Sequence, residues 1–253
     1  MLTVGSLFSG IGGLELGLEA TGGFKTLWQV EIDDYASRVL ARHWPDVARF
    51  RDVRECGAHN LEPVDLICGG FPCQDISVAG HRIGIEGSRS GLWREYARIV
   101  GEIRPRFVLV ENVAALLDRG MGVVVGDLAT LGYDAEWSVV SACTVGAPHA
   151  RERLFLLAYP HGIGWRARRN SHADNHRSGH WEATQGKSSW QDVERWVRAT
   201  FQNGDWNDPT SKILGMDDGV SARLDRLHAL GNAVVPQVVE WIGRRILEAE
   251  ATS

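Results

Sequence analysis

The chain is poor in cysteine. Four cysteines in 253 residues (Cys56, Cys68, Cys73 and Cys143) are scattered without a C-x-x-C pair, so neither a zinc ribbon nor a disulfide framework is expected, no metal is called for, and a reducing cytosol fits best. Long apolar runs are missing as well. No stretch of 18 or more apolar residues is present, and the opening Met1–Gly5 has no basic segment ahead of an apolar one; neither a membrane span nor a secretion signal is predicted. A strong charge of either sign is also lacking. The net charge of −5 argues against nonspecific coating of a polyanion, yet it leaves room for a basic cleft on an acidic body. The basic excess gathers between His161 and Arg177, where Arg166, Arg168, Arg169 and Arg177 stand with three histidines against Asp174 alone. A solvated basic loop and a polyanion contact both fit that stretch.

What is present is ordinary globular composition, 44% hydrophobic and 23% charged, in a length that suits one domain with a smaller lobe. Up to about Pro160, short apolar runs alternate with amphipathic helical stretches. Strands are predicted at Thr3–Phe8, Thr26–Glu31, Val64–Cys68, Arg106–Glu111, Ala135–Ser141 and Leu154–Ala158. Helices are predicted at Leu14–Thr21, Tyr35–His43, Gly91–Glu102 and Met121–Leu131. The alternation implies an α/β fold with a mostly parallel sheet and flanking helices. After Pro160 the chain turns rich in His, Arg, Asn, Ser, Gly and Trp with weak periodicity, which reads as a small lobe over 161–222. Order returns over 223–253, with a helix at Leu224–Leu230 and an amphipathic one at Pro236–Ala249.

Three constellations carry chemistry. The first strand ends in Phe8-Ser9-Gly10-Ile11-Gly12-Gly13 before a helix, placing bare backbone where open α/β sheets bind ligands. Glu31, at the end of the next strand, stands where a ribose hydroxyl pair is held. This pattern alone says nucleoside cofactor, and a nicotinamide dehydrogenase would show much the same. Secondly, Val64–Cys68 leads into Gly69-Gly70-Phe71-Pro72-Cys73-Gln74. A cysteine directly after proline at a strand's end is rigidly held and exposed, which suits a nucleophile better than a packed core residue. Glu111, ending the strand Arg106–Glu111 before Asn112-Val113, supplies a carboxylate for acid–base work. Thirdly, Arg151 and Arg153 alternate in an extended segment and so share one face.

Taken in order, Phe8–Gly13, Glu31, Arg51-Asp52-Val53, Pro72-Cys73-Gln74, Glu111-Asn112-Val113, Arg151 with Arg153, and Gly231-Asn232 resemble the cytosine-5 DNA methyltransferase family, in the compact form of phage and prophage enzymes. The resemblance implies a Rossmann-like S-adenosylmethionine-dependent fold with three parts: a catalytic and cofactor domain over 1–160, a small target-recognition lobe over 161–222, and a C-terminal segment over 223–253 returning to the catalytic domain. It implies transfer of a methyl group from S-adenosylmethionine to carbon 5 of a flipped-out cytosine, leaving S-adenosylhomocysteine. Cys73 is then the nucleophile at carbon 6 and Glu111 the donor to ring nitrogen 3, which requires a raised pKa and partial burial. Asn112 orders the loop carrying Glu111, and Arg151 and Arg153 hold the base, its phosphate and Glu111. The cofactor falls to Phe8, Gly10, Gly12, Glu31, Ile32, Asp52, Pro72 and Asn232. Double-stranded DNA falls to Gln74, Ser77, Arg89, Arg166, Arg168 and Arg169, and Ser77–Trp93 reads as a lid over the flipped base. A cytoplasmic monomer acting at the nucleoid, with a companion restriction nuclease, completes the expectation.

The match departs at His149, where glutamine is the commoner residue, at Ala233, where serine is, and in the shortness of 161–222. Two rival readings stand beside it. A tRNA cytosine-5 methyltransferase would use the same groups. A nicotinamide-dependent oxidoreductase would explain the glycine loop and leave Cys73 and Glu111 without a role.

Overall fold

In a computed structural model of the chain, residues 1–72, 91–145, 151–162 and 233–251 are described. They build a seven-stranded sheet in the order β3-β2-β1-β4-β5-β7-β6. The strands are β1 (Leu2–Leu7), β2 (Phe24–Val30), β3 (Ala48–Phe50), β4 (Leu66–Gly69), β5 (Phe107–Asn112), β6 (Tyr133–Ser141) and β7 (Glu152–Pro160). Pairing from β3 through β5 is parallel, and β7 runs antiparallel to both β5 and β6. Strand order reverses between β1 and β4. Ligands of open α/β sheets bind in the crevice at such a reversal, outside the carboxyl ends of the strands.

The central strands β4 and β5 are apolar over Leu66–Cys68 and Phe107–Val110 because both of their faces are covered. In β5, Val108 and Val110 belong to one core while Phe107 and Leu109 belong to the other. Helix α3 (Gly91–Ile103), α4 (Leu116–Arg119) and α5 (Met121–Thr130) pack on the first face through Trp93, Tyr96, Ile99, Leu116, Val124 and Leu128. Helices α1 (Gly13–Ala20) and α6 (Pro236–Glu250) cover the second through Leu14, Leu18, Val238, Val239, Ile242 and Ile246. Fully burying such an aliphatic side chain stabilises by about 1.5–3 kcal/mol.

Helix α6 lies so close to α1 that glycine is required between them. A Cβ on Gly17 would stand 2.4 Å from the Pro236 carbonyl and 2.6 Å from the Val239 Cβ. The same docking brings the Val234 carbonyl within 2.9 Å of where a Gly13 Cβ would be. The far end of the chain therefore reaches the loop that opens α1. Helix α2 (Asp34–His43) is capped by Asp33, whose side chain accepts from the Ala36 amide at 2.8 Å.

The alternation and the mostly parallel sheet match expectation, while β3, the short helix α4 and the placement of Trp93 differ. The three-residue strand β3 is too short to show a period. Trp93, assigned to the end of a lid, lies in α3, wholly buried, with its ring N–H donating to Asp127 at 2.8 Å. The predicted helix at Leu224–Leu230 lies outside the described residues, as do 163–222 of the small lobe.

Candidate active site

The carboxyl ends of β1 and β2 form one half of the crevice. Phe8 has φ of +54° and Gly10 of +55°, a left-handed conformation that costs an aromatic residue of order 1–3 kcal/mol and persists only where the surroundings hold it. A Cβ on Gly10 would meet nothing within 4 Å, so the loop presents open backbone to the crevice. The Gly10 amide donates to one Glu31 carboxylate oxygen at 2.7 Å and the Asp33 amide to the other at 2.8 Å. Glu31 is thus fixed beside the glycine loop as a ready acceptor. Next to it Ile32 stands 61% exposed, an apolar flank that a purine ring would cover. Asp52 caps the helical turn Val53–Glu55 and is gripped by Arg54 through its Nε and Nη2 at 2.9 and 2.8 Å. Those bonds hold its pKa below the usual carboxylate value. Pro72 is exposed at the end of the β4 loop.

These groups suit a nucleoside cofactor with a charged tail. The open backbone would admit it, Glu31 could accept from ribose hydroxyls, and Ile32 could cover the base. A chain of aromatic rings links this half to the next. Phe8 stacks near Tyr96 (6.4 Å between centroids), Tyr96 near Trp93 (5.5 Å), and Trp93 meets Phe71 (5.2 Å).

The ends of β4, β5 and β7 form the other half. Antiparallel register sets Glu111 opposite Phe155, so Arg153, two residues earlier in β7 and on the same face, comes within reach of it. The Arg153 Nε lies 2.9 Å from Glu111 Oε1. Glu111 is 8% exposed and its pKa is raised to about 7. Burial is the largest cause, opposed by the charges of Arg153 and Arg151 and by the Arg153 hydrogen bond. Burial also lowers the pKa of Arg151, and the neighbouring Arg153 lowers it further, against the pull of Glu111. The alternation read from the sequence does bring both arginines to one carboxylate. Asn112 faces the opposite way: its Nδ2 donates to the Phe71 carbonyl at 3.0 Å and its Oδ1 accepts from the Val113 amide at 2.9 Å. Arg151, Arg153, Val140, Phe155, Val235 and Val238 line a small cleft in common, so the C-terminal segment borders the arginine pair.

Cys73, Gln74, Ser77, Arg89, Arg166, Arg168, Arg169 and Asn232 lie outside the described residues. The described part of the chain after β4 runs to Pro72, the residue before Cys73. Gly70 was missed as a site residue in the sequence: a Cβ there would stand 2.6 Å from Glu111 Oε2. The doubled glycine between an apolar strand and Phe71-Pro72 was the available signal. A cavity of about 360 Å³ at the β3 edge, lined by Asp34, Ser37, Arg38, Ala41, Arg49 and Arg51, contains none of the proposed site residues. Among the described residues no group of three or more His, Cys, Asp or Glu is placed to hold a metal ion, and no helix is long and apolar enough to cross a membrane.

Comparison with known proteins points the same way. A family model described as C-5 cytosine-specific DNA methylase matches residues 2–205. The type II methyltransferase M2.BsuMI of Bacillus subtilis is 40% identical over 165 residues, 62% of this chain and 42% of that protein. The orphan methyltransferase M.SPRI of Bacillus phage SPR is 34% identical over 163 residues, 62% of this chain and 37% of its own. Among solved structures, a DNA modification methyltransferase encoded within an Escherichia coli prophage superposes with a TM-score of 0.54 at 33% identity, over 63% of this chain and 47% of that one. The S. pombe Dnmt2 methyltransferase, at 22% identity and a TM-score of 0.55 over 63% of this chain and 51% of its own, shares the fold. The chain spans about half or less of the length of the curated relatives it matches.

Proposed function

Because the chain belongs to the C-5 cytosine-specific DNA methylase family, we propose that it methylates carbon 5 of cytosine in double-stranded DNA with S-adenosylmethionine as donor. The observation that carries this reading is Glu111: a carboxyl group buried to a pKa of about 7 and held by Arg153, against the loop that leads into Pro72 and Cys73. A carboxyl that is neutral for part of the time near pH 7 donates a hydrogen bond where an ordinary carboxylate only accepts.

The chain's groups divide the work. The Cys73 thiolate adds to carbon 6, forming a carbon–sulfur bond while the electrons of the 5,6 double bond move toward carbon 5. Glu111 donates to ring nitrogen 3 as the ring gains electron density, and its charge is then balanced by Arg153 and Arg151. S-adenosylmethionine, when bound, supplies the methyl group that carbon 5 takes up. A base, for which water serves, takes the carbon-5 proton; the 5,6 double bond re-forms as the carbon–sulfur bond breaks and the Cys73 thiolate leaves. The cofactor's ribose falls to Glu31, its adenine to Ile32, Asp52 and Pro72, and its methionine portion to Phe8, Gly10 and Gly12, with Asn232 closing the pocket. Gln74, Ser77, Arg89, Arg166, Arg168 and Arg169 take the DNA strand around the flipped base. We place this chemistry in the cytoplasm, in a monomer that needs one active site per base, beside a companion restriction nuclease.

The test is a base-resolution map of 5-methylcytosine in DNA from cells expressing the chain and from cells expressing Cys73→Ala. Methylation at one recurring short sequence, absent with the variant, is the expected result. Unmethylated DNA in both cultures, with RNA methylated instead, would replace DNA by RNA as the substrate.

A further inference from the structure

Beneath the cofactor loop lies a buried polar group that the reaction does not use. Helix α1 is otherwise apolar on its inner face (Leu14, Gly17, Leu18), yet Glu15 on that face is 0% exposed. It sits over a polar row crossing three strands. Ser6 of β1 pairs with Gln29 of β2 on one side and with Cys68 of β4 on the other, and all three are wholly buried. Gln29 Nε2 donates to Glu15 Oε1 at 3.2 Å. Ser9, in the loop itself, donates to the Ser6 hydroxyl at 2.9 Å. Its amide donates to the Val30 carbonyl and its carbonyl accepts from Gly12. Ser9 stands between Phe8 and Gly10, both with positive φ, and the Gly10 amide holds Glu31.

We propose that Glu15 is the positioning residue of the cofactor loop, its carboxyl acting with Ser6, Ser9 and Gln29 to hold Phe8 and Gly10 in the conformation that receives S-adenosylmethionine. The inference rests on the cofactor reading above. A carboxyl at this depth is costly in its charged form unless a cation pairs with it, and among the described residues the groups around it offer no cation. From β1 it meets Ser6, from β2 Gln29, and from β4 Cys68, while Glu19, which accepts from the Thr26 amide, follows one turn later on its own helix. Helix α6 turns Val238, Val239, Ile242 and Ile246 inward, and its Glu240 and Arg244 pair with each other at the surface. Burial raises the Glu15 pKa to about 7 against the lowering effect of Ser6, Gln29 and Ser9. Cys68 answers in kind, its thiol pushed well above its ordinary value by burial and by the charge of Glu15. The neutral acid therefore supports the loop below about pH 7, and ionisation above it places an uncompensated charge under Ser9.

The measurement is the dissociation constant of S-adenosylmethionine by calorimetry between about pH 6.5 and 8.5, for the wild-type chain, Glu15→Gln and Ser9→Ala. Comparing chains cancels the titration of the ligand itself. Wild type is expected to weaken by about tenfold more than Glu15→Gln across that range, while Glu15→Gln binds like wild type at the acid end. Ser9→Ala, which cuts the link from the polar row to the loop, is expected to bind more weakly at every pH and to lose the extra dependence. Ligand-free melting gives a second readout. The Glu15 contribution to stability is complete below the unfolded value of 4.5 and is lost as pH rises through about 7, so Glu15→Gln is expected to gain on wild type in alkali. Parallel binding curves for wild type and Glu15→Gln, or a full wild-type pH dependence in Ser9→Ala, would overturn the proposal. A wild-type chain that binds no S-adenosylmethionine at about pH 6.5 overturns the cofactor reading itself, a different failure from parallel curves.

Discussion

Asn112 at the end of β5 donates its side-chain amide to the Phe71 carbonyl, 3.0 Å away, in the loop that follows β4. Both residues are nearly inaccessible to solvent. The bond ties the carbonyl one peptide before Pro72 to the strand that carries Glu111. Two strand ends adjacent in the sheet but about 40 residues apart in the chain are thus held at one spacing.

Asn112→Ala should therefore disturb the reaction more than the fold. It strands a buried carbonyl, at a cost of about 1–3 kcal/mol, and frees the approach to Cys73. The expected outcome is a kcat lower by about 10–100-fold with cofactor affinity unchanged. Single-turnover kinetics beside calorimetry of S-adenosylmethionine binding would check it, and an equal loss in both would move Asn112 to a purely structural role.

The Glu111 pKa of about 7 sets the direction of the pH dependence. With cofactor saturating, the rate should decline above about pH 7 by roughly tenfold per unit as the donor proton is lost. Arg153 holds that pKa down, so Arg153→Met should shift the decline to higher pH while lowering the rate throughout. Glu111→Gln should lose about 100-fold or more and show no decline of this origin. A limb that stays in place in Arg153→Met would mean that another group titrates there.

Gly70→Ala tests the packing around the carboxyl. The added methyl would come within 2.6 Å of Glu111 Oε2 and 3.4 Å of the Glu111 carbonyl. The carboxyl must then leave Arg153 or the loop must move. We expect a melting temperature close to wild type and a kcat reduced by at least about tenfold, since misplacing a catalytic group by an ångström costs that much or more.

Gly17→Ala probes the other end of the chain. Its methyl would collide with the Pro236 carbonyl and Val239, backbone and branched carbon that cannot swing aside. Overpacking of this kind costs about 1–3 kcal/mol, and a chain of this size loses about 2–4 °C per kcal/mol. Thermal melting should fall accordingly. Cofactor affinity should fall with it, because the same docking brings Val234 to Gly13 at the cofactor loop. A drop in melting temperature without a change in affinity would confine α6 to a structural part.

Much of this was determined by the sequence alone. The alternation of apolar runs with amphipathic helices specified an α/β sheet, because side-chain period is a local property. Phe8–Gly13 was legible as open, turning backbone and Pro72 as a fixed loop position, because glycine frees its own backbone and proline fixes its own; the cofactor edge and the Cys73 nucleophile proposed above rest on that reading. Arg151 and Arg153 were placed on one face by strand pleating, which needs no partner to predict. Only the tertiary structure decided what these groups meet. An apolar strand reads the same in either direction, so the antiparallel turn of β7 that sets Arg153 beside Glu111 was not legible. Nor was the depth of Glu15, an acid in a helix that sequence reading places at the surface until α6 and three strands close around it. Register and desolvation are properties of what covers a residue, and the covering segments come from elsewhere in the chain.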